Sequence, residues 1–474
     1  MASPQSSLYR RKFFSAVGVA AASFGITTAS FGRESSSGTI IRSDGGVNVR
    51  DFGARGDGKA DDSKAIQAAV DAASGSVYFP KGIYRITKTI AVNLDKIGFT
   101  SITSDGAAQI LMASPGAAFK FIGTHTKSAD PKGFSENVWR MERMPMLHNI
   151  SIQGEHPEAV GVEAVGTMQF TVNRLHVRKA LHGIHLRGNN RNLMISDCHL
   201  YENTGIGIYY DDVNLHQSNI TGCHISYNTG GGIVSKGGNV RNIHITGCDI
   251  ESNMGREMSP TANVLIDCSS SAWGAAEVAI TGCTIQHNSN SPDSANIRIL
   301  GRSTSGTPLP PQGWGNVTIT GNILSDVMVN VHLKDCRGVA ITGNTFWQAK
   351  DRNLLLDGCK NVVMGSNVLD FNPNYARSVS AKNGLRIVNC EDCTFTGLQI
   401  TNVDDSPSLS FENCRRMNIT GCNIVDSQKV GMSLRNVTDS IIANCIIRNS
   451  DSAAAFTAIE QVQCERNIIE NNLV

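Results

Sequence analysis

Charge is scarce in this sequence and nearly balanced. Only 18% of the 474 residues are charged, and 42 Lys and Arg against 41 Asp and Glu leave a net charge of +1. Nucleic-acid binding favours a strongly basic balance, and a disordered solvating chain carries a high net charge; neither fits. No long, strongly apolar stretch follows residue 31, which excludes a polytopic membrane protein. Proline is also low, at 13 residues, and the 46 glycines follow no Gly-X-Y period, so collagen is excluded. What remains is a Gly-rich, charge-poor chain that needs a fold of many short turns.

The first residues read as an address. Arg10, Arg11 and Lys12 precede an apolar run from Phe13 to about Phe31 that is built largely from Ala, Gly, Ser and Val. Thr27 and Ala29 supply the small-residue exit of a removable export signal, and the paired arginines resemble the twin-arginine type. The expected organisation is a signal over residues 1–29 and a linker over 30–45. A cap with the first coils follows over 46–145, and the main body spans 146–474. Location is then periplasmic or extracellular, with no membrane contact after signal removal.

The body is a repeat. Ile220-Thr-Gly-Cys223, Ile245-Thr-Gly-Cys248, Ile280-Thr-Gly-Cys283, Ile319-Thr-Gly-Asn322, Ile341-Thr-Gly-Asn344 and Ile419-Thr-Gly-Cys422 are one motif, with degenerate copies at Ile195, Val363, Phe395 and Ile442. The base period is 22 to 25 residues, and three copies carry insertions. Within a unit, apolar residues alternate with period two, the signature of strands. Three short strands per unit cannot bury their apolar sides alone, but stacked units bury a continuous core. The predicted fold is all-β: a right-handed parallel β-helix with three-strand rungs. Cys198, Cys223, Cys248, Cys283, Cys422 and Cys445 then form one inward column, interrupted by Asn322 and Asn344. Cys336, Cys359, Cys390 and Cys414 form a second. Nothing in the pattern selects disulfide pairs, so buried thiols are expected from most of the 13 cysteines.

Ahead of the rungs, Ala65, Ile66, Ala69, Val70 and Ala73 share one face of a short helix, capped by Asp61 or Asp62, that can cover the open end of the first coil. Asp51-Phe-Gly-Ala-Arg-Gly-Asp-Gly58, Asp61-Asp62, Ala65-Ile66-Gln67 and Tyr78-Phe-Pro-Lys-Gly82 resemble the pectate-lyase-like superfamily of right-handed β-helix proteins. That superfamily holds hydrolases, lyases, epimerases and phage tailspikes, so the resemblance implies the fold and its cap, not an activity. Of the polygalacturonase pattern only a paired Asp is present, Asp211-Asp212. The Trp-Ile-Asp-His and Arg-x-Pro-x-x-Arg segments of extracellular pectate lyases are missing. No catalytic residue transfers from either family.

Candidate chemistry lies on the strand with the frame Gly-Ile-x-Leu-x, whose x positions point outward. One outward column reads His185, Gly207, Val234, Leu265, Arg298, His332, Leu355, Arg386. The next reads Arg187, Tyr209, Lys236, Asp267, Leu300, Lys334, Asp357. Insertions near 254–262, 288–295, 301–316 and 371–382 all adjoin this strand, which suggests a groove with loop walls. Two clusters stand out. Asp211, Asp212 and Lys236, with Arg187 and Tyr209, could supply acid and base, although paired Asp also begin solvated turns. Asp267, Arg298, His332 and Lys334 could neutralise a uronate and take its α-proton, although a charge-compensated surface looks the same. His185 and Arg386 complete the expected substrate contacts. His176, His199, His224 and Asp249 stack on a different strand; a shared metal is one reading and plain surface stacking the favoured one.

The leading function is therefore glycosidic cleavage of a polysaccharide, by hydrolysis or by elimination at a uronate. A non-catalytic carbohydrate-binding or structural β-helix and a sugar epimerase compete with it. No cofactor is called for, and the sequence leaves a divalent metal open. The partner is a glycan rather than nucleic acid, and the last rung, without a capping helix, points to a homo-oligomer or a covering loop.

Overall fold

Each Ile-Thr-Gly segment ends a strand because the residue after Thr must turn left-handed. Gly222 and Gly247 adopt φ of 61° and 59°, a region where glycine bears no Cβ penalty. In the rung that starts near residue 218, the strand ending at Thr221 gives way at Gly222 to His224–Ser226, then Gly231–Lys236, then Asn239–Thr246. Each strand pairs in parallel with its counterpart one rung away, as in Ile195↔Ile220↔Ile245 and His199↔His224↔Asp249. Repetition of this circuit gives three parallel sheets wound around one core, and parallel crossovers of this kind are right-handed.

In the computed structural model, the structure describes residues 46–474 except 74, 128–129, 256–260, 304–312, 376–380 and 451–454. The expected signal and linker lie outside the described residues, as do the centres of three of the four insertions. The third sheet contains the candidate groove strands, among them Ala159–Met168, His182–Ser196, Ile206–Thr221, Gly231–Lys236, Ala262–Asp267, Ala295–Leu300, Ile323–Lys334 and Thr345–Asp357. No break separates the first coils from the main body: Ser101–Ser104 pairs with Met146–His148, and that strand with Thr171–Asn173.

The N-terminal helix runs Ser63–Ala72 and buries Ile66, Ala69 and Val70. Its cap differs from expectation in detail. Asp62 holds the cap position, but its carboxylate turns back to accept the N–H groups of Arg55 (2.7 Å) and Gly56 (3.0 Å). Asp61 instead accepts the Ser63 N–H at 3.1 Å.

Interior residues stack in kind. Ile220, Ile225 and Ile233 lie beneath Ile245, Ile250 and Val264, all at most 3% exposed. Each contributes about 1.5–3 kcal/mol by leaving water. All 13 cysteines are free, and only Cys464 is not fully buried. Burial pushes the Cys414 thiol up to about 11 and that of Cys393 up to about 12, so both stay protonated and inert.

A feature with no sequence expectation runs beside the core. Asn203, Asn228, Asn253, Asn263, Asn296, Asn330 and Asn353 are each at most 1% exposed. Successive members donate Nδ2 to the next Oδ1 over 2.7 to 2.9 Å. The backbone N–H groups of Ala180, Asn203 and Asn228 also donate into the ladder. Asn322, Asn344 and Asn367 form a second, shorter ladder at the Thr-Gly turn.

Asn228→Ala is expected to strip partners from Asn203, Asn253 and the Leu200 carbonyl and to lower stability by about 2–4 kcal/mol in denaturant titration. Exposed Asn374→Ala should change it by no more than about 0.5 kcal/mol. Equal effects of the two substitutions would remove the ladder's structural role.

Candidate functional site

The groove strands place the predicted residues in a register that corrects the sequence reading at one rung. His185 pairs with Tyr209 and Tyr209 with Val234; Arg187 pairs with Asp211 and Asp211 with Lys236. Tyr209, not Gly207, therefore belongs to the first outward column, and Asp211, not Tyr209, to the second. The remaining columns fall as expected, through Lys236↔Asp267↔Leu300↔Lys334↔Asp357 and Leu265↔Arg298↔His332↔Leu355↔Arg386.

This shift brings the first cluster together. His185 Nε2 lies 2.9 Å from Asp211 Oδ2, and Arg187 Nε lies 3.6 Å from the same oxygen. A carboxylate only accepts, so the Nε2 proton of His185 points at Asp211. The Tyr209 ring stacks on His185 with centroids 5.2 Å apart and planes 6° from parallel. Its phenol lies near enough to Asp211 to favour the ionised carboxylate. Burial opposes ionisation of Asp211, but the hydrogen bond from His185 and the nearby Tyr209 phenol outweigh it and hold the carboxyl below its ordinary value. Burial, then the charge of Asp211, pushes the Tyr209 hydroxyl up to about 12.

Asp212 does not join its neighbour. Its φ of 43° turns the chain, and its Oδ1 accepts the Gly238 N–H at 2.9 Å in the next rung. The pair expected to act as acid and base is thus divided between a site residue and a turn residue.

The second cluster is only partly assembled. Arg298 is outward in register yet 1% exposed, because the 288–294 segment folds over it. Its Nη2 donates to the Asp293 carbonyl (2.8 Å) and carboxylate (2.9 Å), and its Nε donates to His332 Nδ1 at 3.1 Å. Burial, reinforced by Arg298, pushes His332 down to about 4. Asp267 accepts the N–H (2.9 Å) and hydroxyl (2.6 Å) of Ser269 and caps a turn. Lys236 and Lys334 are exposed, with no ion pair among the described residues. Arg386 is committed to Glu412 at 3.1 Å. Between the clusters, Val234 and Leu265 are covered and form a small apolar group with Ile206, Ala262 and Ala295. Buried Arg298, Val234 and Leu265 thus interrupt the exposed groove between Tyr209 and Arg386.

Sequence reasoning missed three residues here. Glu163 and Lys120 extend the first column and pair at 2.8 Å. His182 flanks Tyr209 and His185, with centroids 5.2 and 5.1 Å away. Its Nδ1 accepts the Ile206 N–H at 3.0 Å, and burial pushes it down to about 4. The spacing His182-x-x-His185 was visible, but His182 opens the strand at a position that alternation assigns to the interior. The other histidine stack has its expected register. His199 and His224 are parallel at 5.0 Å, and His224 faces Asp249 at 3.5 Å. Among the described residues no group of three His, Cys, Asp or Glu has metal-holding geometry.

His182 and His332 enter the folded state neutral, with values near 4 against 6.5 in an open chain. The unfolded chain thus binds more protons below pH 6.5, and stability is expected to fall as pH drops from about 6.5 to about 4. His182→Gln with His332→Gln should flatten that slope in urea titrations at several pH values. An unchanged slope would show that neither ring is held neutral.

Comparison with known proteins identifies relatives at three levels. Residues 46–143 match the family described as Rhamnogalacturonase A/epimerase, pectate lyase-like. Residues 147–285 and 374–474, about half of the chain, match the Right handed beta helix region. Alginate lyase 7 of Azotobacter vinelandii is 61% identical over 44 residues, 8% of this chain and 5% of that protein. Mannuronan C5-epimerase AlgE3 of the same organism is 49% identical over 63 residues, 12% of this chain and 3% of that protein. The chain thus spans only a few per cent of the length of these curated relatives. Among solved structures, bacteriophage CBA120 tailspike protein 3 matches with TM-score 0.54 and 14% identity, over 90% of this chain and 61% of that one. Bacteriophage phi29 gene product 12 matches with TM-score 0.58 and 13% identity, over 88% and 56%. Both likenesses are of fold. Together with the parallel sheets and the stacked core, these matches establish that the chain belongs to the right-handed β-helix family, with a pectate-lyase-like N-terminal segment.

Proposed function

We propose that the protein is exported and cleaves a uronate-containing polysaccharide by β-elimination. The observation that carries this reading is the constellation around Asp211. Its contacts among the described residues are His185, Arg187 and Tyr209, with no second carboxylate beside it. Hydrolysis by paired carboxylates needs two such groups across the scissile bond, and Asp212 is engaged with Gly238. The matched segments of an alginate lyase and of mannuronan epimerases support a uronate substrate.

The roles follow from protonation. Asp211 stays ionised and holds His185 with its proton on Nε2, so Nδ1 serves as general base toward the uronate C5 proton. Arg187, 54% exposed, neutralises the substrate carboxylate and so stabilises the carbanion that forms. Tyr209 is protonated at neutral pH and gives its proton to the leaving glycosidic oxygen as the C4–O bond breaks and the C4–C5 double bond forms. The proton on His185 then restores the tyrosine. His182, neutral and fixed by Ile206, packs the base and the acid in place. Acid and base rise from one sheet on neighbouring rungs, so both meet the same face of the sugar. That arrangement suits syn elimination, whereas an epimerase delivers its second proton from the opposite face.

On mannuronan, whose H5 and O4 lie on one face of the ring, His185→Ala, Tyr209→Phe and Asp211→Asn should each lower the appearance of ultraviolet-absorbing unsaturated ends by about 10²–10⁴-fold. Asp212→Asn should leave kcat close to that of the natural protein. Binding of this glycan without any unsaturated product would replace this reading with a carbohydrate-binding role.

A further inference from the structure

The groove strands end in a second cavity that the elimination chemistry does not use. An open pocket of about 440 Å³ lies just past Arg187, Asp211 and Lys236, with Asp212, Asn239, Ser270 and Trp273 on its walls. Trp273 is 59% exposed. Other large apolar side chains are exposed too, Tyr375 and Met144 more so, but Trp273 is the aromatic side chain that lines this pocket, and its flat apolar face with a polar N–H suits contact with a ring.

The backbone beneath it is held far more firmly than an idle surface turn requires. Ser271 Oγ accepts the N–H groups of Trp273 (2.9 Å) and Gly274 (2.6 Å) and donates to the Gly238 carbonyl. Arg241 donates to the carbonyls of Trp273 (2.8 Å) and Gly274 (2.9 Å) while its guanidinium lies 4.8 Å over the Trp314 ring. The indole is thus presented on a fixed support. Opposite it, Asp212 has one oxygen engaged with Gly238, and a carboxylate can accept at both. Among the described residues no Lys, Arg or His lines the pocket.

From this geometry we propose a sugar-binding subsite in which Trp273 stacks on the apolar face of one hexose ring while Asp212, Asn239 and Ser270 hydrogen-bond its hydroxyls. It rests on the reading of the Tyr209–Asp211 cluster as the place of cleavage and adds a ring-binding position beside it. Without a lining cation it reads hydroxyls rather than a carboxylate, so the ring it holds turns any carboxylate to solvent. Long glycan chains gain this contact, whereas short ones that occupy only the cleavage cluster do not.

The test is a length series of mannuronan oligosaccharides with the full chain, Trp273→Ala and Trp273→Phe. Turnover is followed in the ultraviolet, and binding is followed calorimetrically in a His185→Ala background. For long oligosaccharides Trp273→Ala should raise KM and the calorimetric Kd about tenfold, with kcat unchanged. The shortest cleaved oligosaccharides should be unaffected, and Trp273→Phe should recover most of the loss. Matching thermal unfolding of the three proteins separates this from misfolding. Equal KM for Trp273→Ala and the natural protein at every length would overturn the subsite and leave the lyase reading intact. Binding that depends on Trp273 without cleavage by the natural protein would overturn the lyase reading and uphold the subsite. No binding of any oligosaccharide would overturn the subsite.

Discussion

The structure depends on a polar group placed where water cannot reach it. Each buried asparagine of the long ladder must find partners from the rungs on either side, because an amide left unsatisfied in the core costs about 1–3 kcal/mol. Asn228 meets this by accepting from Asn203 and donating to Asn253. The requirement can be met in only one register. A slip of one residue would expose the isoleucine stacks and break every link of the ladder together. Apolar burial supplies the driving force, while the ladders and the left-handed Thr-Gly turns set the alignment.

Register is what turns scattered residues into chemistry. His185, Arg187, Tyr209 and Asp211 come from two strands and would have no relation without the pairing His185↔Tyr209 and Arg187↔Asp211. Rigid parallel strands hold such groups more closely than loops do. The same rigidity extends past the strand ends, where Arg241 and Ser271 fix the turn that presents Trp273. The Asp211 cluster and the Trp273 pocket are therefore two parts of one surface, built from consecutive rungs.

The fold was legible because stacking repeats one solution. Ile-Thr-Gly recurs where Ile points inward and Gly turns, so period and inside–outside parity follow from spacing alone. The misplacement at one rung has a local cause: Gly205-Ile206 and Gly207-Ile208 both fit the Gly-Ile frame, and only pairing with Ile184 selects the second. Parity survived the two-residue shift, which is why Tyr209 and Asp211 were still placed outward. The asparagine ladder escaped notice because it leaves the corner at Asn253 and continues on the strand from Asn263, so its members share no constant spacing.

Alternation and turn chemistry act between near neighbours, so the sequence by itself determined the solenoid, its free thiols and the two outward columns. Coverage and conformation were decided only in three dimensions. Arg298 is buried against Asp293, five residues before it, and Val234 and Leu265 are covered by packing with Ile206, Ala262 and Ala295 from neighbouring rungs. Asp211 and Asp212 are chemically identical neighbours, but a φ of 43° at Asp212 sends one carboxylate to His185 and the other to Gly238. Such outcomes depend on contacts between residues that no periodicity links, and only the folded chain brings those residues together.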